Sequence, residues 1–84
     1  MVKNYTINDD VLYGLEWESL GASDLLKELV GSCILGTETV TDGIKSIGVV
    51  LYAEKRSGDV TAVEMLWDEN ASEFLISKAD IPNL

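Results

Sequence analysis

Two runs of apolar residues, Ser46–Glu54 and Val60–Trp67, constrain the fold of this chain more than any other feature in it. Both are built largely from Ile, Val, Leu, Ala, Tyr and Met, and a polar loop, Lys55-Arg56-Ser57-Gly58-Asp59, separates them. Strand-length runs rich in β-branched residues, joined by a short Gly-bearing polar loop, predict a β-hairpin. Neither run alternates with polar residues. Ile47, Val49, Leu51 and Ala53 point one way and Val50 and Tyr52 the other. In the second run Val60, Ala62 and Leu66, with Glu64 among them, oppose Val63, Met65 and Trp67. A sheet with one wet face would alternate, so this sheet is expected to need cover on both sides.

The flanking segments suggest that cover. Ala22, Leu25, Leu26, Leu29, Val30, Cys33 and Ile34 recur at helical spacing and draw one apolar stripe. Ser23 suits an N-cap, Asp24 suits the first turn, and Gly36 suits the end, so a helix is predicted over about 23–35. Glu38–Thr41 reads as a short strand and Asp42-Gly43 as a two-residue turn. Tyr13, Leu15 and Trp17 alternate with Gly14, Glu16 and Glu18, which predicts an N-terminal strand. Ala71, Phe74, Leu75, Lys78 and Ala79 fit a short C-terminal helix, with an edge strand over Glu73–Lys78 as the alternative. The expected fold class is α+β: a small, mostly antiparallel sheet of 3–5 strands, one amphipathic helix and a short C-terminal helix. No repeat or linker divides residues 1–84, and the one proline, Pro82, lies in the tail, so a single domain is expected.

Composition excludes several chemistries. The chain has no histidine and one cysteine, which removes Ser–His and Cys–His nucleophile pairs, an internal disulfide and Cys- or His-based zinc sites. Six Lys and Arg against fifteen Asp and Glu leave a net charge of −9 over 84 residues. Phosphate is repelled by such a surface, so direct nucleic-acid binding is not expected. The longest stretch without charge, Leu29–Thr37, is less than half of what spans a bilayer, so no membrane association is expected. Asp9 and Asp10 fall where the apolar core of a signal peptide would lie. With the lone cysteine, that points to the cytoplasm. The sequons Asn4-Tyr5-Thr6 and Asn70-Ala71-Ser72 are then chance matches.

Four motifs resolve into bland readings. Gly31-Ser32-Cys33-Ile34-Leu35-Gly36-Thr37 has the glycine spacing of a phosphate loop, but Thr37 and Glu38 stand where Lys and Ser/Thr are required. Asp68, Asn70 and Ser72 resemble the start of a calcium loop, but Glu73 replaces the turn glycine and Ala79 the bidentate Glu. Cys33 lies in the helical stripe and is expected in the core. Paired carboxylates such as Glu16 with Glu18 are inevitable among fifteen acids, and a cleft for glycosidase-type chemistry is larger than this chain is expected to build. No enzymatic activity, cofactor or metal is therefore expected.

Trp17 and Trp67 are the most informative side chains. Each is flanked by carboxylates, in Glu16-Trp17-Glu18 and Trp67-Asp68-Glu69. Tryptophan anchors interfaces, and an acidic rim favours a basic partner. These six residues are the expected partner-binding set, with core packing the competing role for each indole. The function expected is a non-catalytic acidic protein-binding module, a small inhibitor or regulator docking on a basic partner surface. In its sharpest form it is a nucleic-acid mimic, such as a phage anti-defence protein, by analogy of size and charge. One helix covers one sheet face, and the other, expected to hold Val50, Tyr52, Val63, Met65 and Trp67, needs the short C-terminal helix or a second chain, so a homodimer is expected. The alternative is an oligomer that binds a small molecule, a nucleotide or metabolite, with Lys55 and Arg56 as a basic spot.

Overall fold

The polar loop closes its hairpin as the sequence requires. Lys55 N donates to Asp59 O at 2.8 Å and Gly58 N to Lys55 O at 2.9 Å, which sets Glu54 opposite Val60. The computed structural model describes residues 9–82. In it this hairpin is the middle of one antiparallel sheet made of β1 (Glu18–Ser19), β2 (Cys33–Asp42), β3 (Lys45–Glu54), β4 (Val60–Asp68) and β5 (Glu73–Ile81). The order across the sheet is β1-β5-β4-β3-β2. Two short helices accompany it, α1 (Asp9–Tyr13) and α2 (Ala22–Leu29).

The sheet is larger and the helices are shorter than expected. The predicted helix over 23–35 stops at Leu29, because Val30 is extended (φ −63°, ψ 124°) and Gly31 turns the chain with φ +80°. From Cys33 onward the chain pairs with β3, Cys33 opposite Glu54 and Ile34 opposite Ala53. Val30, Cys33 and Ile34 are better strand formers than helix formers, and β3 offers them a full-length partner. The helix also starts at Ala22 behind Gly21, with no side-chain cap from Ser23. Gly36 lies within β2 instead of ending a helix.

The terminal elements are exchanged as well. Residues 73–81 form β5, not a helix, because all nine residues pair in register with β4 from Glu73–Asp68 to Ile81–Val60. The predicted N-terminal strand shrinks to Glu18–Ser19, and Asp9–Tyr13 is helical instead. The turn between β2 and β3 is Gly43-Ile44, one residue later than predicted, with Asp42 opposite Lys45. The α+β description with one clear amphipathic helix is thus replaced by a five-stranded antiparallel sheet with helices of 5 and 8 residues.

Register decides the two faces. Tyr52 stands opposite Ala62, and Ala62 opposite Ala79, so Val50 and Tyr52 share a face with Ala62, Glu64, Ala79 and Ile81. Val63, Met65 and Trp67 occupy the reverse face with Ile47, Val49, Leu51 and Ala53. The Tyr52 face holds the main cluster, Val50, Tyr52, Ala62 and Ile81, against which Leu12, Leu15, Trp17, Leu35, Val40 and Val60 pack. Cover on this face therefore comes from residues 12–17 of the same chain. On the Val63 face, Ala53, Thr61 and Val63 are buried. Here α2 is fastened by Glu28, whose carboxylate meets Lys78 of β5 at 2.5 Å and Lys55 at 3.0 Å. Leu25, Glu28 and Leu29 are half-buried on α2, and Leu26 stays exposed. Both faces thus have cover from within the chain, though not along their full length.

Gly48 leaves no room for a side chain between β3 and β4. A Cβ there would stand 2.2 Å from Met65 O and 2.8 Å from Leu66 Cδ2, so no other residue fits without moving the strands.

Candidate functional site

One end of the sheet collects exposed apolar side chains. The β2–β3 and β4–β5 turns meet there, joined by the ion pair between Lys45 and Glu69. Trp67 and Phe74 face each other across β4 and β5 on the Val63 face, their rings edge to face with centroids 5.1 Å apart. Trp67 is 44% exposed and Phe74 56%. Leu75 is also exposed, on the Tyr52 face, and Ile44 is fully exposed in the β2–β3 turn. Asp42, Asp68, Glu69 and Glu73 lie at the same end. Large apolar residues left open within a ring of charge are the usual make-up of a docking surface.

The expected partner-binding residues divide between two places. Trp67 is open at the turn end. Asp68 is turned inward to its own loop, where Oδ1 accepts from Asn70 N at 3.0 Å and Ala71 N at 3.4 Å, while Glu69 is held by Lys45. The calcium-like segment is thus an aspartate-capped turn, with Ser72 at φ 52°. Trp17 is half-buried against the core, and its indole N–H donates to Leu12 O at 2.9 Å. Glu16 is exposed in the segment before β1, and Glu18 lies 3.5 Å from Lys78. Sequence adjacency joined these six residues, but the fold separates the Trp17 trio from the Trp67 trio. Cys33, expected in the core, is exposed on β2 because the helix that would have buried it ends earlier.

A cleft on the Tyr52 face was not anticipated. It measures about 360 Å³ and is walled by Tyr13 and Trp17 on one side and by Glu38, Val40, Val50 and Glu64 on the other. Glu38, Val50 and Glu64 form a straight row across β2, β3 and β4. Burial raises the pKa of Glu64 above the ordinary carboxylate value. The only sign of this in the sequence was a glutamate placed inside an apolar strand.

A third feature is a shallow depression of about 620 Å³ between the end of α2 and the β3–β4 loop. Lys27, Lys55, Arg56, Ser32 and Ser57 line it, and the Arg56 guanidinium lies over Gly31. Lys55 is engaged by Glu28 at 3.0 Å. Among the described residues no cluster of His, Cys, Asp and Glu fits a metal ion, and no helix is long and apolar enough to cross a membrane. No family model, curated protein or solved structure matches this chain.

Proposed function

We propose that this chain is a non-catalytic binding module that docks a basic protein through the turn end of its sheet, and so acts as an inhibitor or regulator of that partner. The observation that carries the reading is the open Trp67–Phe74 pair set among Asp42, Asp68, Glu69 and Glu73 in a chain of net charge −9. Aromatic pairs of this kind supply the anchor of an interface, and the surrounding charge selects a cationic surface and speeds encounter. Charge favours a basic partner over a second copy, because self-association would bring two strongly acidic chains together.

The test compares capture by the tagged protein and by its Trp67→Ala variant, washed at low and then high salt. The expected result is a basic protein that elutes with salt and is not retained by Trp67→Ala. Equal capture by both forms overturns the reading. A concentration-dependent dimer that Trp67→Ala dissociates, measured by sedimentation, assigns the surface to a second copy instead.

A second reading, an anionic small molecule held at Lys27, Lys55 and Arg56, is favoured by the gathering of these cations around one depression. Titration with a nucleoside phosphate, followed by amide shifts at Gly31, Ser32 and Arg56, tests it. Absence of shifts there removes it.

A further inference from the structure

The charge of the chain indicates what kind of partner it meets; the outer edge of the sheet bears on how that partner is held. β2 is the last strand in the order, and among the described residues nothing pairs with its outer side. Alternate N–H and C=O groups of Cys33–Asp42 therefore face outward with their bonding capacity open. Sheets commonly blunt such an edge with lysine, proline, a bulge or a very short strand, and β2 has a shift of register at Ile34–Gly36 and at Val40–Thr41. β2 is ten residues long and contains neither lysine nor proline. Its stretch Gly36–Val40 pairs with β3 without a break, between two shifts of register. Thr37, Thr39, Val40 and Thr41 all favour extended backbone.

The cleft on the Tyr52 face opens on this same stretch. Glu38 on β2 and Glu64 on β4 flank Val50 in one row, so their backbones are about 10 Å apart at two strand spacings. A residue added opposite Glu38 becomes the next member of that row, and its side chain stands over the Tyr52 face beside the Trp17 and Tyr13 wall.

We propose that β2 accepts an extended segment of the basic partner as a sixth strand, with a lysine or arginine of that segment opposite Glu38, at the mouth of the cleft. Main-chain hydrogen bonds along β2 give the attachment, and the cleft gives the choice of side chain. Beside Glu38 the cation makes a cross-strand pair of opposite charge. Its head lies over the edge of the cleft on the side of Trp17 and Tyr13, where cation–π attraction adds to the pair, while Glu64, three strand spacings (about 14 Å) from the added backbone, adds only its charge. This inference rests on the basic partner proposed above and adds its mode of attachment at a separate place, the β2 edge.

The experiment uses a ten-residue threonine- and glutamine-rich peptide with one central lysine. Its companions carry glutamate or norleucine at that position, or N-methyl groups on alternate backbone nitrogens. Each is titrated into the isotope-labelled full chain while amide and indole signals are followed. The expected result is movement of the Cys33–Asp42 amides and the Trp17 indole N–H, with the lysine peptide binding about tenfold tighter than the glutamate peptide. N-methylation abolishes the effect, Glu38→Gln weakens it, and Trp67→Ala leaves it unchanged. No movement at β2, equal response to lysine and glutamate, or undiminished binding of the N-methylated peptide overturns the proposal. If the lysine peptide fails while a basic protein is still captured through Trp67, only the mode of attachment falls. If the peptide binds β2 and Trp67→Ala captures normally, the turn-end reading falls and this one stands.

Discussion

Glu28 and Lys78 stand fifty positions apart in the chain and 2.5 Å apart in space, and their contact fastens α2 to β5. Lys55 closes on the same carboxylate from the β3–β4 loop at 3.0 Å, and Glu18 lies 3.5 Å from Lys78, so α2, β5, β1 and the β3–β4 loop share one small network. The carboxyl of Glu28 is held below its ordinary pKa, chiefly by the hydrogen bond from Lys78 and then by that from Lys55. Lys78 is held above its ordinary value, chiefly by Glu28.

The pH dependence follows from those two directions. A lowered carboxyl adds stability that is complete above its unfolded pKa and is lost as pH falls through the folded one. A raised amine adds stability that is complete below its unfolded pKa and is lost as pH rises through the folded one. Glu28→Gln should therefore cost about 1–2 kcal/mol near neutral pH, since one charged partner of a largely covered pair is removed. Urea unfolding of both forms against pH checks this. The gap should close in acid, and a gap independent of pH would remove the ion pair as its cause.

Glu64 shifts in the opposite sense. Burial raises its pKa, so the folded state binds the proton more tightly than the unfolded state and stability falls as pH rises between the two values. Glu64→Gln should raise the melting temperature at neutral pH, with the advantage shrinking as the medium becomes acid. A variant less stable than the parent at neutral pH would show that the carboxylate is satisfied in place.

Gly48→Ala should be among the most damaging single changes. The new methyl would collide with Met65 O and Leu66 at the centre of the sheet, an overpacking cost of about 1–3 kcal/mol or more. Thermal unfolding measures it. A loss no larger than that of Gly14→Ala, where the added atom meets nothing closer than 3.5 Å, would contradict the pairing of Gly48 with Leu66.

Trp67→Ala should leave the fold intact. The indole is 44% exposed, and its contact with Phe74 is worth about 1 kcal/mol. Circular dichroism should change little, whereas partner binding should weaken by roughly 2 kcal/mol or more. Unfolding of the variant would instead assign Trp67 to the core.

Cys33 distinguishes the strand from the helix that the sequence suggests. On the edge strand its thiol is exposed. A thiol-specific dye should therefore label the native protein at a rate close to that of the urea-unfolded chain. Strong protection in the native state would restore the helical reading.

The parts of the fold legible in the sequence are those set by short-range chemistry. The β3–β4 hairpin, its polar loop and the first two turns of α2 follow from residue type and spacing. What was not legible is what depends on pairing. Cys33 and Ile34 fit a helical stripe as well as a strand, and only the offer of Ala53 and Glu54 across the ladder decides between them. Phe74–Ala79 was ambiguous for the same reason. The faces were mixed because Val50 and Met65 belong together or apart according to a register that one strand alone does not reveal. The Glu38–Glu64 cleft shares that origin, since its two acids are neighbours only through Val50.

The order of strands carries a consequence for how the molecule forms and opens. From β2 to β5 each strand lies beside its successor in the chain, so three hairpins can close over short loops in turn. Such local topology favours rapid folding. Only β1 reaches across the chain, from Glu18 to Lys78, and the Glu28 contact seals the same seam. The segment from α1 to α2 is therefore the natural unit to lift away while the four-stranded meander stays zipped. The same excursion would bare the Tyr52 face beneath residues 12–17 and the part of the Val63 face beneath α2, so the most vulnerable moment of this protein is a partial opening rather than complete unfolding.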